Sequence, residues 1–204
     1  NVLNDQRHVI FSQRNDAMES QQIFSYSEDF LNGITDDLLK LKTQKKINPK
    51  NNDFDSRLKS IMGKSLEEKK FTELISLNDN DFRQKILVQF NDNRNERTKI
   101  LGEDQSKEIE KRILLQSIDI NWKSHIQYLE QLRQVVGLRS YGQRDPLIEY
   151  KKEAFDLFSN LLEKLKLDYI TVLMNLKVIE QPKEVQSKKK SEILDNPKCL
   201  LILK

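Results

Sequence analysis

Apolar side chains recur at steps of three and four residues along two long stretches of the chain, and a short polar connector separates them. The stripe of the first stretch is Leu115, Ile118, Trp122, Ile126, Leu129, Leu132 and Val136. The stripe of the second is Leu147, Tyr150, Ala154, Leu157 or Phe158, Leu161, Leu165, Tyr169, Val172 and Leu176. This spacing places the side chains on one face of an α-helix. Because the connector is short, the pattern predicts an antiparallel helical hairpin over residues 105–178.

The connector, residues 137–146, carries the residues that end one helix and begin the next. Gly137 suits the left-handed position just past a helix C-terminus. Asp145 before Pro146 is typical of an N-cap followed by proline in the first helical position. Glu149 would then lie near the positive end of the helix dipole.

The hairpin is expected to bury a core between its two helices, and the second helix has more apolar surface than one partner helix would cover. The expected core residues are Trp122, Ile126, Leu129, Tyr150 and Phe158. A second row, Ile148, Phe155 and Leu162, predicts burial against a third helix of a bundle. The alternative for this row is a groove that binds an apolar partner helix.

Outside the hairpin the pattern is less regular. Residues 1–27 are predicted to form one helix with Leu3 and Ile10 on its apolar stripe, while Gln6, Arg7, Gln13 and Arg14 face elsewhere. Residues 28–104 read as short helices that form a small inserted subdomain, and residues 179–204 lack a periodic stripe. The fold class predicted is all-α, with a disordered C-terminal tail. Because the first helix begins in mid-pattern, a fragment with a cut helix is expected.

Composition narrows the chemistry. Hydrophobic residues make up 37% and charged residues 33%, and 5 Gly and 4 Pro in 204 residues favour long helices. The single cysteine, Cys199, excludes an internal disulfide. A net charge of +3 gives little support for nucleic acid as a partner. No apolar run reaches the ~20 residues that a membrane span needs.

Catalytic and metal motifs find little support. Gly63-Lys64-Ser65 resembles the end of a phosphate-binding loop, but Leu58 stands where that motif needs another glycine. His8 and His125 are the only histidines, too few for a metal cluster of the usual spacing, and His125 is expected to be a packing or surface residue. At the connector, Tyr141 between arginines is either part of an ordinary polar turn or a contact tip that tolerates many peptide sequences.

Several segments closely resemble the SecA preprotein-translocase motor family. In the hairpin they are QSIDINWKSH at 116–125, LRQ at 132–134, GLRSYGQRDP at 137–146 and EYK at 149–151. Near the start of the chain they are NDQR at 4–7, Ile10 and SQR at 12–14. The resemblance implies a division into the latter part of a scaffold helix (1–27), a helical wing domain (28–104), a two-helix finger (105–178) and a flexible tail (179–204). It runs with interruptions to about Val178.

The resemblance also implies a function and partners. In this family the finger tip, which matches Leu138, Arg139, Tyr141, Gln143 and Arg144, enters the SecYEG channel and contacts the unfolded preprotein. Val136 and Glu153 match positions that line the signal-peptide groove. The hairpin restrains ATP hydrolysis by the rest of the motor until channel and preprotein are bound. The implied location is cytoplasmic and peripheral to the bacterial inner membrane, whose anionic surface is a further candidate partner.

Complete family members bind ATP and Mg²⁺, but the nucleotide-binding domains do not match any part of this chain, so it is expected to bind no cofactor and to hydrolyse no ATP alone. The zinc module that ends many family members is expected to be absent, since one cysteine cannot form it. Two other functions stay open: a free-standing helical adaptor for an amphipathic partner helix, and a nucleic-acid-binding hairpin through Arg139 and Arg144. The translocation segment is favoured.

Overall fold

The structure is a computed structural model that describes residues 2–19, 22–63, 68–137, 145–178 and 201–203. These residues form seven helices and two short strands. In chain order they are α1 (Val2–Glu19), α2 (Ile23–Ile47), α3 (Asp53–Met62), α4 (Glu68–Ser76), α5 (Asp79–Leu101), α6 (Glu103–Val136), α7 (Pro146–Asn175), β1 (Leu176–Val178) and β2 (Leu201–Leu203). The predicted all-α class is confirmed.

Helices α6 and α7 form the long hairpin. Their 34 and 30 residues correspond to ~51 Å and ~45 Å at 1.5 Å per residue. The predicted start of α7 is confirmed, because Asp145 Oδ1 accepts the Leu147 N–H at 2.8 Å and Pro146 occupies the first turn with Glu149. The left-handed conformation predicted for Gly137 is wrong. Its φ of −60° and ψ of −27° are right-handed, because the chain still turns as a helix at this residue.

Helix α1 lies antiparallel to α6, and it forms a three-helix bundle with the part of the hairpin nearer the connector. Gln6 meets His125, Arg14 meets Asp119, and the Met18 carbonyl accepts from Lys111, so positions that advance along α1 retreat along α6. The single helix predicted over residues 1–27 is wrong, because α1 ends at Glu19 and α2 begins at Ile23. No glycine or proline lies between them, so nothing local signals the end of α1.

The region predicted to be an inserted subdomain shares its core with the base of the hairpin. Phe54 and Phe82, on α3 and α5, have ring centroids 6.0 Å apart. One continuous cluster joins α3 and α5 to the buried residues Leu165, Tyr169 and Leu173 of α7. Helices α3 and α5 therefore pack on α7 as well as on each other.

The chain leaves α7 at Asn175, three residues before the predicted end of the hairpin, and forms β1. Strand β1 pairs antiparallel with β2, with Leu176 opposite Leu203 and Val178 opposite Leu201. Leu176 is buried, and the pairing satisfies backbone groups that the end of the helix leaves free. The stretch 179–204, predicted to be a flexible tail, thus includes a strand at Leu201–Leu203, while residues 179–200 and 204 lie outside the described residues. Among the described helices none is long and apolar enough to cross a membrane.

Candidate functional site

The sequence predicts a contact tip in the connector between α6 and α7. Helix α6 ends at Val136, Gly137 follows in one more helical turn, and α7 begins after Asp145. Gly137 and Asp145, which flank the connector, lie at the opposite end of the hairpin from the part of α7 that packs on α3 and α5. The tip residues themselves lie outside the described residues, and their roles stay predictions: Leu138, Arg139, Tyr141, Gln143 and Arg144.

An apolar groove lies next to the tip, between the two arms of the hairpin and the start of α1. Its volume is ≈ 470 Å³. The lining residues are Leu3, Ile126, Leu129, Glu130, Arg133, Val136, Pro146, Leu147 and Tyr150. Of the two predicted groove residues, Val136 lines this groove, whereas Glu153 lies half-buried on α7 and is not among the lining residues.

The buried stripe of α6 differs from the predicted one in the middle of the helix. The buried residues of α6 are Ser106, Glu110, Leu114, Ser117, Ile118, Asn121, His125, Leu129, Leu132 and Val136. Leu129 is buried as predicted, while Trp122, Tyr150 and Phe158 are half-buried. Ile126 is 38% exposed, so its assignment to the core is wrong. The inward positions belong to Asn121 and His125, because other helices supply partners for these two polar side chains.

Gln6 is the partner of His125. The Gln6 side chain donates from Nε2 to the Ala154 carbonyl at 2.9 Å, and its Oε1 lies 2.9 Å from His125 Nε2. Because the amide nitrogen already donates to a carbonyl, the amide oxygen must accept, and His125 therefore carries its proton on Nε2. The outward orientation predicted for Gln6 is wrong, since this side chain is 7% exposed and connects α1, α6 and α7.

The imidazole of His125 is enclosed by rings as well as by Gln6. The ring centroids of Trp122 and Phe158 lie 5.5 and 5.7 Å from it. Burial lowers the pKa of His125 below its ordinary value of 6.5, so the neutral form is favoured. The packing role that the sequence suggested for His125 is confirmed. Ser124 and Lys164 line a small pocket beside the ring, but Ser124 donates to the Ile120 carbonyl and Lys164 pairs with Asp168.

A second polar cluster joins the base of the hairpin to α2 and α5. Glu110 is fully buried and accepts two hydrogen bonds from Arg94, both at 3.0 Å, and one from Arg97 at 2.9 Å. Ser27 donates to Glu110 at 2.8 Å, and the Tyr169 hydroxyl lies 2.7 Å from Ser27 Oγ. The cluster thus spans four helices, and burial of Tyr169 raises the pKa of its hydroxyl.

The remaining contacts of the two arginines show that the cluster is structural. Arg97 also donates to the Leu173 carbonyl at 3.1 Å, and Arg94 pairs with the half-exposed Glu28 at 2.9 Å. The acidic partners of the two arginines, Glu110 and Glu28, are thus side chains of this chain, and the described residues hold no group of three or more His, Cys, Asp and Glu arranged for a metal. Sequence periodicity gave no signal for this cluster, because Arg94, Arg97 and Glu110 look like ordinary surface charges.

The phosphate-loop alternative fails on geometry. Gly63 follows the C-terminus of α3 and not a strand, and its φ is +92°. A side chain at this position would collide with Asn175 of α7, so glycine is required by packing against the hairpin. Lys64 and Ser65 lie outside the described residues.

The second apolar row of α7 is largely open. Ile148 is 63% and Phe155 is 67% exposed, while Leu162 is half-buried against the core. The predicted burial of this row against a third helix is wrong for the first two residues, because α1, the third helix, packs on the Ala154 side of α7. The exposed pair leaves the groove-type alternative open.

Comparison with known proteins agrees with the sequence resemblance. The family described as SecA Wing and Scaffold domain matches residues 1–177. The chain is 58% identical over 202 residues to the protein translocase subunit SecA of Pelagibacter ubique, covering 98% of this chain and 24% of that protein. It is 35% identical over 187 residues to the subunit of Caulobacter vibrioides and 32% identical over 188 residues to that of Bartonella bacilliformis, in each case covering 90% of this chain and 20% of the relative. The chain therefore spans a quarter or less of the length of these relatives, and it belongs to the SecA wing and scaffold domain family.

Proposed function

We propose that this chain is the segment of a protein translocase subunit that presents the α6–α7 hairpin to the export channel and to the exported chain. The observation that carries the proposal is the match of residues 1–177 to the SecA wing and scaffold family. The hairpin geometry supports it, because two paired helices ~45–51 Å long can transmit displacement with little bending. In this function the chain acts by contact and leverage.

The connector supplies the contact. Tyr141 would offer a rigid amphipathic surface to an unfolded preprotein, while Arg139 and Arg144 provide adaptable polar contacts to that chain or to SecYEG loops. Leu138 and Gln143 complete the tip. A contact of this kind tolerates many sequences, because the ring makes no demand for one particular partner side chain.

The groove beside the tip would take the signal peptide. Leu129 and Val136 give it an apolar floor that suits an apolar helix, and Glu130 and Arg133 flank the mouth. Val136 would contact the signal peptide directly. Glu153, one turn after Tyr150 on α7, would contact it from beside the groove. The hairpin would also restrain ATP hydrolysis, with ATP and Mg²⁺ held by the rest of the motor, at the cytoplasmic face of the inner membrane.

Site-directed cross-linking tests the tip contact in the complete translocase subunit. A cysteine replaces Tyr141, serine replaces Cys199, and a preprotein is stalled in the channel. Cross-links from position 141 to the preprotein or to channel loops are expected. The matched control is Phe155→Cys on the exposed row of α7. Cross-links from position 155 alone would favour the helix-binding adaptor and would reject the tip model.

Substitution of the same residue gives a quantitative prediction. Tyr141→Ala should lower the translocation rate about 5–30-fold, which corresponds to the loss of ~1–2 kcal/mol of contact energy. Tyr141→Phe is the control, since it keeps the ring and should retain most of the rate. The Tm of the subunit should stay unchanged, and normal transport by Tyr141→Ala would contradict the proposal.

A further inference from the structure

Helix α1 meets the hairpin through a seam with few apolar residues. Its inward positions follow steps of three and four, as in a coiled coil: Leu3, Gln6, Ile10, Gln13 and Ala17. Of these, Ile10 and Ala17 are buried apolar residues, and Gln6 is the buried polar one. Apolar and amide residues therefore alternate along the seam, and Gln6 is the amide that is buried.

Sliding α1 by one helical turn would exchange Gln6 for an apolar residue at the level of His125. Ile10 or Leu3 would then occupy that level, and Gln6 would move to a level that an apolar seam residue now occupies. The His125 Nε2–H would also lose its acceptor, and a buried donor without an acceptor is disfavoured. Ala154 allows the amide to reach its backbone carbonyl, because its small side chain is fully buried under α1.

We infer that Gln6 is a positioning residue that sets the longitudinal register of α1 on the α6–α7 hairpin. Its two hydrogen bonds join it to His125 on α6 and to Ala154 on α7, which are 119 and 148 positions away in the chain. A single amide thus favours one alignment, because a slip of one turn would leave His125 without its acceptor and would move Gln6 to an apolar level of the seam. One buried asparagine specifies the register of a coiled coil in a similar way. The consequence for hairpin action in translocation rests on the proposed function, whereas the register itself does not.

Two further polar contacts between α1 and α6 are exposed and contribute less to the register than Gln6. Arg14 and Asp119 lie 3.2 Å apart, but their side chains are 35% and 59% exposed, and exposed ion pairs contribute little. The contact of Lys111 with the Met18 carbonyl is also exposed. Gln13 occupies the same kind of seam position as Gln6 two turns later, but it is half-buried, so it is a matched control.

Disulfide trapping in this chain, with Cys199→Ser, measures the register. One variant carries Arg14→Cys and Asp119→Cys, which reports the observed alignment, and another carries Arg14→Cys and Lys123→Cys, which reports a slip of one turn. The effective concentration of each pair is measured in a glutathione redox buffer. With Gln6 present the 14–119 pair should dominate, and Gln6→Leu should lower the ratio of the two about tenfold, the change that ~1.4 kcal/mol produces. Gln13→Leu should leave the ratio within about twofold.

A second variant separates register from stability. Gln6→Leu combined with His125→Phe removes both polar partners and keeps the seam filled, so the fold should persist even where Gln6→Leu alone unfolds. It should show the same loss of preference for the 14–119 pair. An unchanged ratio in either variant would overturn the inference. Loss of the cross-links from position 141 with the register intact would reject the proposed function alone.

Discussion

At the scale of single residues, the buried polar side chains depend on specific partners. His125 is 3% exposed, and its Nε2–H donates a hydrogen bond to Gln6 Oε1. Trp122 and Phe158 lie against the ring. An imidazole in this position is stable when neutral, because burial removes the water that would solvate a charge. Lys164 lines the pocket beside the ring, but it is paired with Asp168.

The pKa of His125 makes the stability of the bundle depend on pH. Burial holds this pKa below 6.5 in the folded chain. As pH falls below 6.5, His125 is therefore protonated in the unfolded chain before it is protonated in the folded chain. The contribution is fully present above about pH 6.5 and should diminish as pH falls toward the folded pKa. Urea unfolding at pH 7.5 and 5.5 measures it.

Substitutions assign the effect to this residue. His125→Phe should reduce the difference in the free energy of unfolding between the two pH values, whereas His8→Phe, at an exposed position of α1, should leave it in place. Equal pH dependence in the two variants would show that carboxylates, and not His125, are responsible.

At the scale of the element, α6 shows that helical periodicity predicts a helix better than it predicts the buried face. Leu129 and Ile126 are three residues apart and apolar, yet Leu129 is 3% exposed and Ile126 is 38% exposed. The difference arises because Asn121 and His125 turn inward toward Asp168 and Gln6, which moves the centre of the stripe by one residue.

Truncation of the two residues tests the direction of the stripe. Leu129→Ala should lower the free energy of unfolding by ~2–5 kcal/mol, because it leaves a cavity in the bundle. Ile126→Ala should cost less than about 1 kcal/mol, because much of its side chain is already in water. Chemical denaturation of both variants gives the comparison, and a larger cost at Ile126 would place the stripe where periodicity alone predicts it.

At the scale of the whole molecule, the Glu110 cluster connects the hairpin base to α2 and α5. The buried carboxylate of Glu110 pairs with Arg94 and Arg97. Ser27 is hydrogen-bonded both to Glu110 and to the Tyr169 hydroxyl. Removing one member of a buried ionic cluster leaves the others without compensation, which costs more than the cluster itself contributes. The relative placement of wing helices and hairpin therefore depends on a few charges.

Glu110→Ala should destabilise the chain by ~3–5 kcal/mol, because Arg94 and Arg97 would remain buried without their acceptor. Glu108→Ala is the control on the same helix, since Glu108 forms an exposed pair with Arg112 and should contribute less than about 1 kcal/mol. Thermal or chemical unfolding of both variants checks the difference. Similar small losses would indicate that the arginines find other acceptors.

Features that depend on neighbouring residues could be predicted from the sequence, and features that depend on distant partners could not. The N-cap at Asp145 followed from two adjacent residues and is confirmed. Gly137 and the end of α1 were misjudged, because a glycine is compatible with either helical hand and no breaker follows Glu19. The tip residues around Tyr141 were proposed from resemblance and stay a prediction.

By itself the sequence determined the hairpin, the all-α class and the resemblance to SecA, because periodicity, capping and motif are local properties of the chain. The tertiary structure alone decided that Gln6 and His125 face each other, that Glu110 is buried between Arg94 and Arg97, and that Ile148 and Phe155 stay exposed. The physical reason is that burial of a polar group depends on a partner, and these partners come from helices far apart in the chain.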